Sequence, residues 1–198
     1  MATQTITIDG TVAGIPISGK HTYDPTGQIA LSPAALTAAK AGTLTTRTDD
    51  DTGVITLTAG HGITDSDIVA VFWTGGFRTL MTVTAYDATT VSIDGGSGTV
   101  LPADESAVTI AKAVSIDTDF IGNLVARMAA KADYRCAFDF LDGSGASLAQ
   151  VEVATDGFWL WFAALGTNPL AGDTVASVKA FSGTTVASTL NIGVEYAA

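Results

Sequence analysis

Positive charge is scarce in this chain. Nine Lys+Arg stand against 20 Asp+Glu, a formal net charge of −11 at pH 7 over 198 residues. Phosphate binding needs clustered Lys and Arg, so nucleic acid is not expected as a partner. Charge of either sign is thin: 15% of residues are charged and 47% are hydrophobic, with a mean hydropathy of +0.37. That hydrophobic fraction excludes a disordered chain. Such a chain either clothes itself in Thr, Ser, Ala and Gly or has much of its surface covered by a partner. Glutamate is nearly missing, with 17 Asp to 3 Glu. Asp favours turns and caps, Glu helix interiors, so the balance points to strands and turns. The single cysteine, Cys136, excludes an intramolecular disulfide. Lying in the apolar run Cys136-Ala137-Phe138, it reads as a buried, inert thiol. The longest apolar run, 158–165, is far too short to span a bilayer, so no membrane partner is expected. The first residues carry neither a basic stretch nor an apolar core, and no secretory signal is expected there.

What is present is strand-like. Thr5-Ile6-Thr7-Ile8 alternates up to the turn dipeptide Asp9-Gly10. Further strands are predicted over 54–58, 68–73, 80–86 and 91–93, each bounded by Gly or Asp turns. Tyr134, Cys136, Phe138 and Phe140 share one face of a strand, with Arg135 and Asp139 on the other. Leu190, Ile192, Val194 and Tyr196 alternate at the C-terminal end. Period-two runs spaced by turns predict an all-β protein.

Two segments carry helix signals. Residues 32–42 hold Ser32 as an N-cap, Pro33 at the first helical position and Gly42 at the end, with an extended strand as the alternative. Across 119–131, Phe120, Ile121, Leu124, Val125 and Met128 fall at helical spacing, predicting one amphipathic helix. Texture changes near Gly42 and near Lys112; between them the chain is dense in Thr, Val and short turns. The expected architecture is therefore a β-sandwich-like domain built from 1–41 and 113–198. A small β-barrel, 42–112, is inserted into it, and one or two short helices complete the fold.

No catalytic constellation emerges, and no enzyme activity or cofactor is expected. His61, between Gly60 and Gly62, reads as a turn residue that is either exposed or capping backbone, and His21 as a loop residue. One Cys and two separated His give no zinc cluster. Residues 94–99, Asp-Gly-Gly-Ser-Gly-Thr, lack the Gly-Lys-Ser/Thr of a phosphate loop and read as a hairpin loop. Asp49, Asp50 and Asp51 beside Gly53 are a weak calcium candidate, with Asp65 and Asp67 as a second oxygen-rich turn. Their plain alternative is a set of solvated turn carboxylates. The strand Phe158-Trp159-Leu160-Trp161-Phe162 is apolar on both faces. It is central in a sandwich, or presents one face as an interface, or stacks sugars on its tryptophans.

The inserted segment carries a resemblance. It runs Asp51-Thr52-Gly53-Val54-Ile55-Thr56-Leu57-Thr58-Ala59-Gly60-His61-Gly62-Ile63, then an Asp-Ile-Val-Ala-Val strand at 67–71 and a Gly-Gly turn at 75–76. Met81-Thr82-Val83-Thr84-Ala85-Tyr86 and Thr89-Thr90-Val91-Ser92-Ile93-Asp94 follow. Over about a third of the chain this pattern resembles the small β-barrel modules of tailed-bacteriophage virion proteins. The resemblance implies a non-enzymatic structural protein located in the virion and assembled in the host cytoplasm. Within that class the expected role is an oligomeric capsid decoration (cement) protein that binds the major capsid protein. Its expected partners are copies of itself, for example in a trimer, and other virion proteins. A tail or baseplate component is the alternative. A carbohydrate-binding host-recognition module stacking sugars on tryptophan is another. Candidate interface residues are Trp73, Trp159, Trp161, Tyr196, Ile6 and Ile8.

Overall fold

The computed structural model describes residues 4–12, 15–23, 28–116, 125–162, 169–170 and 173–196. Every element among them is a strand. The first two, β1 (Gln4–Val12) and β2 (Ile15–Tyr23), pair only with each other. Asp9-Gly10, expected as a turn, lies inside β1, opposite Ser18 and Ile17. His21, expected in a loop, lies in β2 opposite Ile6.

Both predicted helices are corrected by strand pairing. β3 (Gln28–Leu36) contains Pro33, and its alternation sends Ala34 and Leu36 into the core while Pro33 and Ala35 stay exposed. Among the described residues β3 stands at the end of its sheet, the place where a strand proline is tolerated. The second helical expectation covers 119–131; residues 117–124 lie outside the described residues, and the rest is β12 (Val125–Ala132). Met128, Ala130 and Ala132 point inward with period two. β12 is paired on both sides, so its ladder bonds and buried face override an alanine-rich local preference for helix.

The barrel closes with six antiparallel strands. They are β4 (Lys40–Arg47), β5 (Thr52–Leu57), β6 (Ile68–Trp73), β7 (Gly76–Tyr86), β8 (Thr90–Asp94) and β10 (Ser106–Lys112). Their order around the barrel is β6-β10-β4-β5-β8-β7, with β7 pairing back to β6. Short β9 (Ser97–Gly98) adds to β7. Register breaks at 44/46, 69/71 and 83/85 supply the local bending that a small closed barrel requires. Gly53 meets one of them: a Cβ there would stand 2.6 Å from the Thr46 carbonyl. Inward residues such as Leu44, Ile55, Val71, Met81, Ile93 and Ile110 are fully buried and fill the interior.

The second unit is a sandwich. One sheet runs β11-β16-β13-β14, from Val114–Ile116, Ser177–Ser182, Cys136–Leu141 and Ser147–Val153 respectively. The other runs β15-β12-β17-β3, where β15 is Phe158–Phe162 and β17 is Ser188–Tyr196. Cys136, Phe138 and Phe140 from one sheet meet Met128, Trp161, Leu190 and Ile192 from the other in one apolar core.

Barrel and sandwich are joined by two short connections, 37–39 and Ala113. Between them lies a third apolar cluster: Ala70, Phe72 and Ala111 of the barrel against Ala137 and Phe181 of the sandwich, with Ala39 of the connection. Arg135 clamps this seam. Its Nη1 donates to Trp73 O at 2.9 Å and its Nη2 to Gly76 O at 3.0 Å, while Nε donates to Glu152 at 2.6 Å. Its guanidinium also lies 5.3 Å from the Phe72 ring centroid.

Arg135→Ala strands two turn carbonyls at the seam, and a loss of about 1–3 kcal/mol is expected by thermal or urea unfolding. Arg135→Lys is expected to recover little, because one ammonium cannot reproduce the planar fork. A Lys variant as stable as wild type would show that the fork is not what holds the seam.

Candidate interaction surface

β15 is apolar throughout, but its two faces meet different surroundings. Trp161 is buried in the sandwich core, and Trp159 is half-buried with its ring edge-on to Phe138, centroids 6.3 Å apart. Phe158 is 77% exposed and Leu160 is half-buried on the opposite face. The strand stands at the end of its sheet among the described residues rather than at its centre. The outward apolar residues are therefore Phe158 and Leu160, while the two tryptophans serve the core.

Register extends this face across the sheet. Phe158 stands opposite Lys131, Lys131 opposite Asn191 and Asn191 opposite Pro33. In the next row Leu160 stands opposite Ala129 and Ala129 opposite Gly193. Lys131 stands in the first of these rows, and in the third Arg127 stands opposite Phe162 and Glu195. Small side chains at its centre leave the sheet flat, and Phe158 rises at its margin. An exposed Phe158 beside half-buried Leu160 gives this margin of the sheet the apolar character of a contact surface.

The other sequence candidates fall elsewhere. Trp73 ends β6, half-buried against the barrel core, and its carbonyl accepts the Arg135 bond. Ile6 and Ile8 lie in β1 opposite His21 and Gly19, and Tyr196 in β17 opposite Gln28; their side chains lie outside the described residues.

The three aspartates of the calcium candidate are not gathered around one centre. Asp50 pairs with Arg47, and Asp51 with Arg78 at 3.5 Å. Asp49 Oδ1 accepts the Asp51 N–H at 3.0 Å, and backbone N–H bonding holds its carboxyl below the usual range. Among the described residues no three His, Cys, Asp or Glu side chains are placed to hold a metal ion. Asp67 Oδ2 is bound instead by Thr64 N at 2.7 Å, Thr64 Oγ1 at 3.0 Å and Lys112 Nζ at 2.9 Å. Burial pushes the Asp67 pKa up, but these donors outweigh it and the net shift is downward.

His61 caps backbone. Its Nδ1 accepts the Ile63 N–H at 3.1 Å and its Nε2 donates to Asp87 O at 3.0 Å, which fixes a neutral tautomer in a buried turn. Cys136 is fully buried, and burial pushes its thiol up to about 12, so it is not a nucleophile at neutral pH.

Sequence reading missed Arg78. It is buried, donating through Nη2 to Gly96 O at 2.6 Å, Nε to Gly95 O at 3.2 Å and Nη1 to Thr99 O at 3.3 Å. It thereby organises the 94–99 loop. Gly96 has φ +93°, and a Cβ there would lie 2.2 Å from Thr79 O, so only glycine fits. No spacing rule marks a strand arginine for this role; the Gly-Gly dipeptide is its only local sign.

Trp161→Ala is expected to cost about 3–5 kcal/mol of unfolding free energy, whereas Phe158→Ser changes it by no more than about 0.5 kcal/mol. Equal losses in chemical denaturation would refute the assignment of faces. For His61, replacement by Ala leaves a buried N–H unpaired and is expected to cost about 1–3 kcal/mol. His61→Asn, whose Oδ1 supplies an acceptor in place of Nδ1, is expected to recover part of it. Compared with protein-family models, curated proteins and solved structures, the chain matches none of them.

Proposed function

We propose that this chain is a non-enzymatic structural protein of a tailed-phage particle, an oligomeric decoration protein that binds and stabilises the major-capsid lattice. The observation that carries the reading is the outer sandwich face, with Phe158 77% exposed opposite Lys131 and, in the next row, Leu160 opposite Ala129. The barrel pattern in 43–112 supports the phage class by resemblance. Binding through such a face is modest per copy and becomes strong when summed over an array. Net acidity keeps the free protein soluble and repels packaged nucleic acid. Sugar stacking on the β15 tryptophans has no support, since Trp161 is buried and Trp159 packs on Phe138.

The test is co-sedimentation of the purified chain with decoration-free heads and, separately, with tails, beside mass measurement in solution. An oligomer that pellets with heads is expected. Phe158→Asp is expected to lose at least tenfold in binding with an unchanged melting temperature. Pelleting with tails alone would move the protein to the tail; a monomer that binds neither would end the proposal.

A further inference from the structure

Beside the apolar seam lies a buried polar cluster built from both units. Asp139 of β13 is fully buried and shares the seam-facing side of the strand with Ala137. Its Oδ1 accepts from Ser147 Oγ at 2.9 Å, but its Oδ2 is buried with no hydrogen-bond partner. Across the seam, Thr79 of β7 is fully buried and stands opposite Ser97 of β9. Ser97 Oγ is the other buried side-chain oxygen without a partner among the described residues. Gln150 stands opposite Asp139 on β14, and its Nε2 crosses the seam to donate to Thr79 Oγ1 and to Ser97 O.

Among the described residues no cation is paired with Asp139. Lys179 lies opposite it on β16 without forming an ion pair with it. On β14, Glu152 is held by Arg135; on β7, Arg78 is held by Asp51; β9 carries no charge. An anion enclosed in this way with one oxygen unpaired is strongly disfavoured, whereas protonation cancels the charge and turns Oδ2 into a donor.

We infer that Asp139 holds a proton in the closed seam, and that its ionisation loosens the joint between barrel and sandwich. The direction of its titration agrees: burial raises its pKa from 3.8 and outweighs the lowering influence of the neighbouring polar groups of Thr79, Ser147 and Gln150. The folded chain therefore keeps a proton that the unfolded chain releases above the ordinary aspartate value. The stability tied to that proton is fully present below pH 3.8 and is lost as pH rises through the raised folded value. Asp67, Asp87 and Asp142 have lowered values and act in the opposite sense, losing stability as pH falls. A neutral Asn at 139 separates the two effects.

The experiment follows the melting temperature of the full chain and of Asp139→Asn from pH 3.5 to 8, with 13C NMR of the Asp139 carboxyl. Wild type is expected to fall relative to the variant as pH rises, by about 3–5 °C for each tenfold difference in proton affinity between folded and unfolded states. Hydrogen exchange at the Ala39 amide, which donates to Thr184 O at 2.8 Å, reads the joint itself. After correction for intrinsic rate, exchange is expected to accelerate with pH in wild type and not in the variant. A pH-independent difference, or a carboxyl titrating at the ordinary value, would overturn the inference. So would a melting temperature that rises with Na⁺ or K⁺ at constant ionic strength, because a bound cation would then replace the proton. Should Asp139→Asn not fold, Ser147→Ala removes a donor that favours the anion. It is expected to move the carboxyl titration further upward, and no movement would count against the inference.

Discussion

One guanidinium group joins the two units of this protein. Arg135 leaves the sandwich at the start of β13 and ends on two carbonyls of the β6–β7 turn of the barrel. Both carbonyls belong to a tight, part-buried turn beside Phe72, where an acceptor left unmet carries a cost. The planar fork meets them together while its third nitrogen stays on Glu152. With two short connections feeding the barrel, this clamp and the Phe72–Phe181 cluster oppose independent swinging of the units.

The rest of the molecule follows from how the clamped seam is filled. Ala70, Ala111 and Ala137 let the two backbones approach, and Asp139 and Thr79 between them are fully buried. Asp139 is aspartate at a position that an apolar residue would fill more cheaply, and its burial depends on the barrel staying docked. The opposite side of the sandwich has the reverse character. There Phe158 is exposed and Leu160 half-buried beside Ala129 and Gly193, and the proposed contact surface lies at that margin rather than at the seam.

Much of the fold was legible from spacing. Cys136, Phe138 and Phe140 alternate against Ala137 and Asp139 as expected, whereas Tyr134 and Arg135, expected in the same strand, precede it and Tyr134 is exposed. The turn-bounded runs from Val54 to Ile93 correspond to strands of the closed barrel. The failures have local causes. Ser32-Pro33 is helix punctuation only if a helix follows; opposite β17 the same proline sits at a strand edge. Around Met128, alanines satisfy both periods, and pairing to β15 and β17 decided between them. In β15 the alternation was visible, but with five apolar residues in a row nothing local says which face is the core.

The sequence by itself determined the class of the fold: strands set by period-two alternation and turns set by Gly and Asp, in a chain of net charge −11. Those properties depend on neighbours within a few residues, where the pleat and the turn are decided. Tertiary structure alone decided that Phe158 is exposed and Trp161 buried, that Arg78 and Arg135 cap loops, and that Asp139 is sealed inside a joint. Each of those outcomes depends on a strand far away in the chain, and a side chain's environment is set by what packs over it.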